Sequence, residues 1–257
     1  MSQNRKPFEG VLNIIRFNWH FYVIAGIAII VGMNAWWLLP IFVPSLLFWQ
    51  DIIFLGMGLA VVYLIGSLLV SHYIYDLSDL YRFQWLQQLH LPKEGHFVNI
   101  HSGFDETSHL LQQQFPEATF HLLDFYDPTI HTEVSIQRAR KYAPPPAATQ
   151  SVAYNQWHTL VPKAAVIFGI LAIHELRKND EKVAFLQEVA KALTPTGKFI
   201  LVEHLRDHNN FLAYGPGFFH FFSKATWLRC IKEARLTVRE TFKVTPFIQV
   251  FVFTLPS

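Results

Sequence analysis

At 257 residues the chain has room for one good-sized domain and something smaller. Hydrophobic residues make up 51% and charged residues 16%, where an average soluble protein carries about 25% charge. A net charge of +2 with no Lys/Arg stripe argues against a nucleic-acid partner, and a single cysteine, Cys230, excludes an internal disulfide framework and a cysteine-based zinc site.

The apolar excess is concentrated near the start, after a short N-terminal segment (1–20). Phe21–Leu39 and Ile52–Val70 are each 19 residues without a charge, long enough as helices to cross roughly 28 Å of hydrocarbon. This predicts a two-helix transmembrane hairpin over 21–70. A cleaved signal peptide fits the first run poorly, because it is long, ends in Trp36 and Trp37, and has no small-residue cleavage site. Trp36, Trp37 and Trp49 sit where an aromatic belt meets headgroups. Ala28/Gly32 and Gly56/Ala60, each four apart, suit close helix approach. Arg5, Lys6 and Arg16 precede the first run, Arg82 follows the second, and the loop between has no positive charge. The expectation is a multi-pass inner (cytoplasmic) membrane protein with both ends cytosolic.

A juxtamembrane stretch (71–91) leads to the turn cluster Pro92-Lys93-Glu94-Gly95, where a second domain over 92–257 begins. Phe97–Ile100 reads as a strand, with a helix near Thr107–Gln114, and Thr119–Leu123 as the next strand. Asp127-Pro128 predicts a helix start, with the helix running to Tyr142 before Pro144-Pro145-Pro146. Ala165–Leu171 is wholly apolar, as a parallel strand covered on both faces should be. Asn179 or Asp180 caps a helix through Leu193, Phe199–Val202 is a strand, and Ser223 caps a helix through Ala234 that contains Cys230 as a small core residue. Thr237–Lys243 and Phe247–Thr254 read as a hairpin supplying an antiparallel edge. The fold class expected is α/β, a doubly wound, mostly parallel Rossmann-like sheet.

Ligands of such sheets bind outside the carboxyl ends of the strands. The first strand ends in Asn99-Ile100-His101-Ser102-Gly103-Phe104-Asp105, and Asp124 ends the second, 21 residues beyond Gly103. A close-approach glycine and a carboxylate about 20 residues on suit a ribose. One glycine in place of three argues against a pyrophosphate-bearing dinucleotide, and with it a nucleotide-dependent oxidoreductase.

These residues resemble class I S-adenosylmethionine-dependent methyltransferases, in a divergent membrane-anchored branch, over roughly 92–255. Asn99 takes the family's acidic place, His101, Gly103 and Asp105 its three glycines, and Asp124 its acid after the second strand. Asn155 falls where an adenine-contacting polar residue is often kept. The resemblance implies S-adenosylmethionine as cofactor, held by His101, Ser102, Gly103, Asp105, Asp124, Phe125 and Asn155. It implies methyl transfer, and the membrane anchor makes sense if the acceptor is lipophilic, such as a quinone, alkylphenol, polyene or lipid. The replaced glycines support a second reading, a catalytically inactive scaffold in a membrane biosynthetic complex.

His174 and Glu175 follow one buried strand, and Glu203 and His204 end the next. A histidine there could orient or deprotonate the acceptor, so His174, Glu175 and His204 are the candidate catalytic residues. An ion-pair network holding a loop is the plainer alternative. No helical metal-ligand spacing is present, and no metal is expected. The aromatic run 209–222 suits a lid, a surface dipping into the bilayer interface, or packing under the sheet. Arg138, Arg140 and Lys141 form either a headgroup contact or an ordinary solvated face. The oligomeric state is not legible.

Overall fold

The computed structural model describes residues 6–43, 45, 47–131 and 133–256. It divides into two compact units, one running to Leu77 and taking in Ala213–Gly215, the other made of Ser78–Leu212 and the chain from Pro216.

The first unit is built on α1 (Glu9–Phe42) and α2 (Phe48–His72), which pack together and whose most apolar windows are wholly unburied. Pro40 lies inside α1 and has no N–H to give the carbonyl of Trp36. The side-chain amide of Gln50 donates to that carbonyl at 3.0 Å, which fastens the helix ends together. At the opposite end α2 runs into a wide π-type turn, Tyr73–Leu77. Asp76 of this turn accepts the N–H groups of Gly10 and Val11 at 2.7 and 3.0 Å, capping α1 where its dipole favours an anion. Gly10 is needed there, since a Cβ would lie 2.3 Å from that of Tyr75. Of the two expected small-residue pairs only the first is used. A Cβ at Gly32 would lie 2.9 Å from the sulfur of Met57, whereas one at Gly56 would face open space.

The second unit is a seven-stranded sheet in the order β3-β2-β1-β4-β5-β7-β6. Its strands are β1 (Gly95–His101), β2 (Ala118–Asp124), β3 (Gln150–Ser151), β4 (Ala164–Ile170), β5 (Leu193–His204), β6 (Thr237–Thr245) and β7 (Ile248–Thr254). β1 to β5 pair in parallel, and β7 pairs antiparallel with both β5 and β6. The terminal hairpin supplies the antiparallel edge expected from the sequence, with its later strand on the inside. The chain passes β5, forms β6 at the rim and returns through β7, whose residues from Ile248 to Phe253 are all buried.

Side chains alternate across the strands. Val98, Ile100, Ile167, Phe199 and Leu201 join one core with α5 (Asn179–Ala192) and α7 (Lys224–Glu233), through Phe185, Val189, Trp227 and Ile231. Phe97 and Phe168 face the other way, meeting Phe115 beyond α3 (Ser108–Gln114) at ring separations of 5.1 and 6.4 Å. Apolar strands covered on both faces match the sequence expectation of a doubly wound, Rossmann-like architecture.

One local expectation needs correcting. The helix expected over 127–142 begins only at Val134, as α4 (Val134–Tyr142), and Thr132 lies outside the described residues. Asp127 instead closes a separate turn, its carboxylate accepting the N–H and hydroxyl of Thr129 at 2.8 and 2.6 Å. The aromatic run contains helix, α6 (His208–Tyr214) followed by a 3-10 turn, Gly215–His220.

Candidate functional site

The sheet reverses its winding between β1 and β4, so the carboxyl ends of those strands open the crevice where such folds take ligands. Two clusters stand there.

The first follows β1. Register places His101 beside Asp124. Gly103 turns with φ +79°, a conformation a side chain resists, and its N–H donates to Asp124 Oδ1 at 2.8 Å. Asp124 Oδ1 also accepts Tyr126 N–H at 3.0 Å, and Oδ2 pairs with the Arg140 guanidinium. Arg140 lies 4.9 Å over the Tyr126 ring. Tyr126 and Ile136 border the space above Gly103, at 3.0 and 3.3 Å from where a Cβ would be.

His101 is buried with neither ring nitrogen hydrogen-bonded, as are Ser102 Oγ and Asp105 Oδ2. The ring sits 3.9 Å from Asp105 and 3.7 Å from Asp124. Burial pushes the His101 pKa down, against the pull of those carboxylates. Asp105 Oδ1 accepts the N–H groups of Thr107 and Ser108 at 3.0 and 2.9 Å, fixing the start of α3. Asn99 donates to the hydroxyls of Thr107 and Ser108 at 2.9 and 2.7 Å.

Of the remaining cofactor candidates, Phe125 is a core residue, 5.7 Å from the Phe185 ring, with only its N–H reaching back to His101 O. Asn155 is exposed on a turn bridged between Ala153 and Gln156 and is not drawn into this cluster.

The second cluster follows β4 and β5. Leu171 leaves β4 with φ +51°, a strained value for a branched side chain, while its N–H donates to Val202 O at 2.8 Å. The next turn, Ile173–Glu175, brings His174 to Glu203 at the end of β5. Its N–H and Nδ1 meet the two Glu203 oxygens at 3.1 and 2.7 Å. Nε2 is left facing Glu175 Oε1 at 3.5 Å. Burial pushes the His174 pKa down, but the Glu203 carboxylate and its hydrogen bond, with Glu175, leave it raised overall. Burial raises that of Glu175, whose Oε2 has no hydrogen-bond partner.

His204 does not join this cluster. Its Nδ1 bonds Asn210 Oδ1 at 2.9 Å and its ring stacks on Phe221 at 4.6 Å. Burial lowers its pKa to about 4, so it is neutral.

Sequence reasoning passed over His220, hidden in a run of phenylalanines, and gave Arg140 to the surface. His220 lies edge-on to His174 at 5.2 Å, with Nε2 4.0 Å from Glu175 Oε1. Arginines hold it in place. Arg177 donates to the carbonyls of His174 and His220 at 3.1 and 2.7 Å, and Arg206 to those of Phe219 and Phe221 at 2.6 and 2.8 Å. A surface cavity lined by Phe83, Leu86, His90 and Phe115 lies at the opposite, amino ends of the strands, apart from both clusters.

No family model and no curated protein matches the chain. Solved structures with a similar fold include CalO1, a methyltransferase in calicheamicin biosynthesis in its SAH-bound form, at 14% identity and TM-score 0.45, covering 80% of this chain and 58% of that one. The mitomycin 7-O-methyltransferase MmcR aligns at 14% identity and TM-score 0.48, over 98% and 73%. A TehB-like SAM-dependent methyltransferase from Corynebacterium glutamicum aligns at 15% and 0.48, over 70% and 89%. The chain thus spans just under three fifths of CalO1. At this distance the chemistry must be read from the chain's own residues.

Proposed function

We propose that the protein is a membrane-anchored methyltransferase that moves a methyl group from S-adenosylmethionine to a lipophilic acceptor at the cytosolic membrane face. One observation carries the reading. At the winding switch, His101, Ser102 and Asp105, each with a buried polar atom lacking a hydrogen-bond partner, flank in sequence a left-handed glycine whose N–H is tied to a carboxylate on the next strand. Buried polar atoms without partners are costly, and a bound polar ligand would satisfy them. Gly103 gives a backbone edge for close approach, while Asp105 Oδ2 and Asp124 are the acids available to a ribose. For Asp124 to serve, Arg140 has to release Oδ2.

The cofactor would supply an activated methyl group. The protein's part is to position the acceptor and exclude water. His174, held through Nδ1 by Glu203, and Glu175 stand ready to orient or deprotonate it, with His204 supporting the same strand end. A lipophilic acceptor fits the aromatic segment, where Phe219 is 61% and Leu212 59% exposed. Anchorage is supported by two helices long and apolar enough to cross a bilayer, whose apolar windows find no cover in the fold. The charge pattern of the flanks orients both ends to the cytosol.

Calorimetry with S-adenosylmethionine and S-adenosylhomocysteine on the full chain in detergent tests the reading. Binding of both, weakened in Asp124→Asn, supports it. No heat from either at near-millimolar ligand overturns it. That result would favour the scaffold, for which Arg140 on Asp124 and Tyr126 over Gly103 are the supporting contacts.

A further inference from the structure

We infer that His174, Glu175 and His220 form a binding site for a divalent cation of the zinc class. Among the described residues, one ligand atom from each of these three lies within 4.8 Å of the others. Both Nε2 atoms point at the same oxygen, Glu175 Oε1, at 3.5 and 4.0 Å. Ligands of a tetrahedral zinc at 2.0–2.1 Å stand about 3.3 Å apart, so closure asks for a small movement. His220 is the ring able to make it, with its side chain 32% exposed.

The surroundings point the same way. A histidine that ligates through one nitrogen commonly gives its other N–H to a carboxylate, which fixes the ring and its tautomer. His174 Nδ1 meets Glu203 at 2.7 Å, and His220 Nδ1 lies 3.8 Å from Glu133. Glu175 is more than nine-tenths buried, and its Oε2 has no hydrogen-bond partner. Three carboxylates, Glu133, Glu175 and Glu203, gather there against two cations: Arg177, already engaged by two carbonyls and stacked over Phe222 at 4.6 Å, and Lys182, whose Nζ lies 3.4 Å over the same ring. A cation would offset that excess and give the stranded Glu175 oxygen a partner. Helical spacing could never have shown the site, because its ligands come from the turn after β4 and from another turn 45 residues later.

Three protein ligands leave a fourth position open. Its use, holding an acceptor oxygen in place of His174 Nε2, rests on the methyltransferase reading. Cation binding itself does not.

The test is titration of chelator-stripped full-length protein in detergent with Co²⁺, followed by Zn²⁺. The expected result is one Co²⁺ per chain, with visible absorption bands of a four- or five-coordinate ion that Zn²⁺ abolishes. Glu175→Gln and His220→Gln should each lose this binding, and Glu203→Gln should weaken it about 10–100-fold. Should Glu175→Gln fail to fold by circular dichroism, His220→Gln carries the test. Absence of stoichiometric binding in the wild type, or its retention in His220→Gln, overturns the site. Calorimetry with S-adenosylhomocysteine on the same samples separates the two claims. Cobalt without S-adenosylhomocysteine keeps the cation site and removes the methyltransferase, and the converse removes only the cation site.

Discussion

At Gly103 two constraints coincide: a left-handed backbone, and a Tyr126 ring 3.0 Å from where a Cβ would sit. Gly103→Ala is expected to lower stability by about 1–2 kcal/mol, read by thermal or denaturant unfolding, and to weaken S-adenosylhomocysteine binding. One turn further on, Asp124 and Arg140 make opposite predictions. Asp124→Asn removes the acid and should weaken the same ligand roughly tenfold or more. Arg140→Ala frees Oδ2 and should tighten it several-fold by calorimetry. A weaker complex in both would mean that Arg140 itself touches the ligand. The pairing of Gly103 with Asp124 was legible because a turn glycine and a strand-end carboxylate one crossover apart are brought together by parallel pairing. Arg140 was not. On a short helix beside Arg138 and Lys141 it has the appearance of any solvated cation, and only the tertiary fold reveals that it reaches a buried acid.

Single elements carry their own chemistry away from the crevice. Glu188 on α5 is buried and receives the N–H groups of Trp157 and His158 at 2.8 and 3.0 Å, the His158 ring at 2.7 Å and Lys191 at 3.0 Å. Burial pushes its pKa up, but these donors outweigh it and bring it from 4.5 to about 2. A depressed folded value means that the carboxylate stabilises fully above pH 4.5 and that this contribution is lost as pH falls towards 2. Denaturant unfolding between those values should show the loss in the wild type and a flatter profile in Glu188→Gln. That variant should itself be less stable at neutral pH by about 1–3 kcal/mol. Elements of this kind, apolar strands and amphipathic helices, were readable from periodicity. The start of α4 was misplaced because an Asx turn and a helix N-cap share the same first residues. Asp127 followed by Pro128 satisfies both, and the contest is decided by neighbours such as His131, whose Nδ1 accepts the Asp127 N–H at 2.9 Å.

For the whole molecule, the reading as a membrane protein makes a partition prediction. The chain should remain in the membrane pellet after an alkaline carbonate wash. Protease should digest the residues beyond Leu77 in inside-out vesicles and spare them in right-side-out ones; the reverse pattern would refute the cytosolic placement. The sheet's parallel character was visible in its uninterrupted apolar strands, yet the position of β7 was not. A hairpin written at the end of a sequence says that two strands pair, not which of them the rest of the sheet will accept. Here the later one is accepted, because β7 is apolar along nearly its whole length while β6 exposes Val238, Arg239 and Glu240 to solvent.

The aromatic segment is fastened by its main chain. Arg177 and Arg206 grip the carbonyl oxygens of Phe219, His220 and Phe221, which every amino acid possesses. Replacing the rings at 218 or 219 therefore leaves the attachment intact. Over evolutionary time those rings are free to change shape and size one by one, with both arginines and the His174 corner kept as they are.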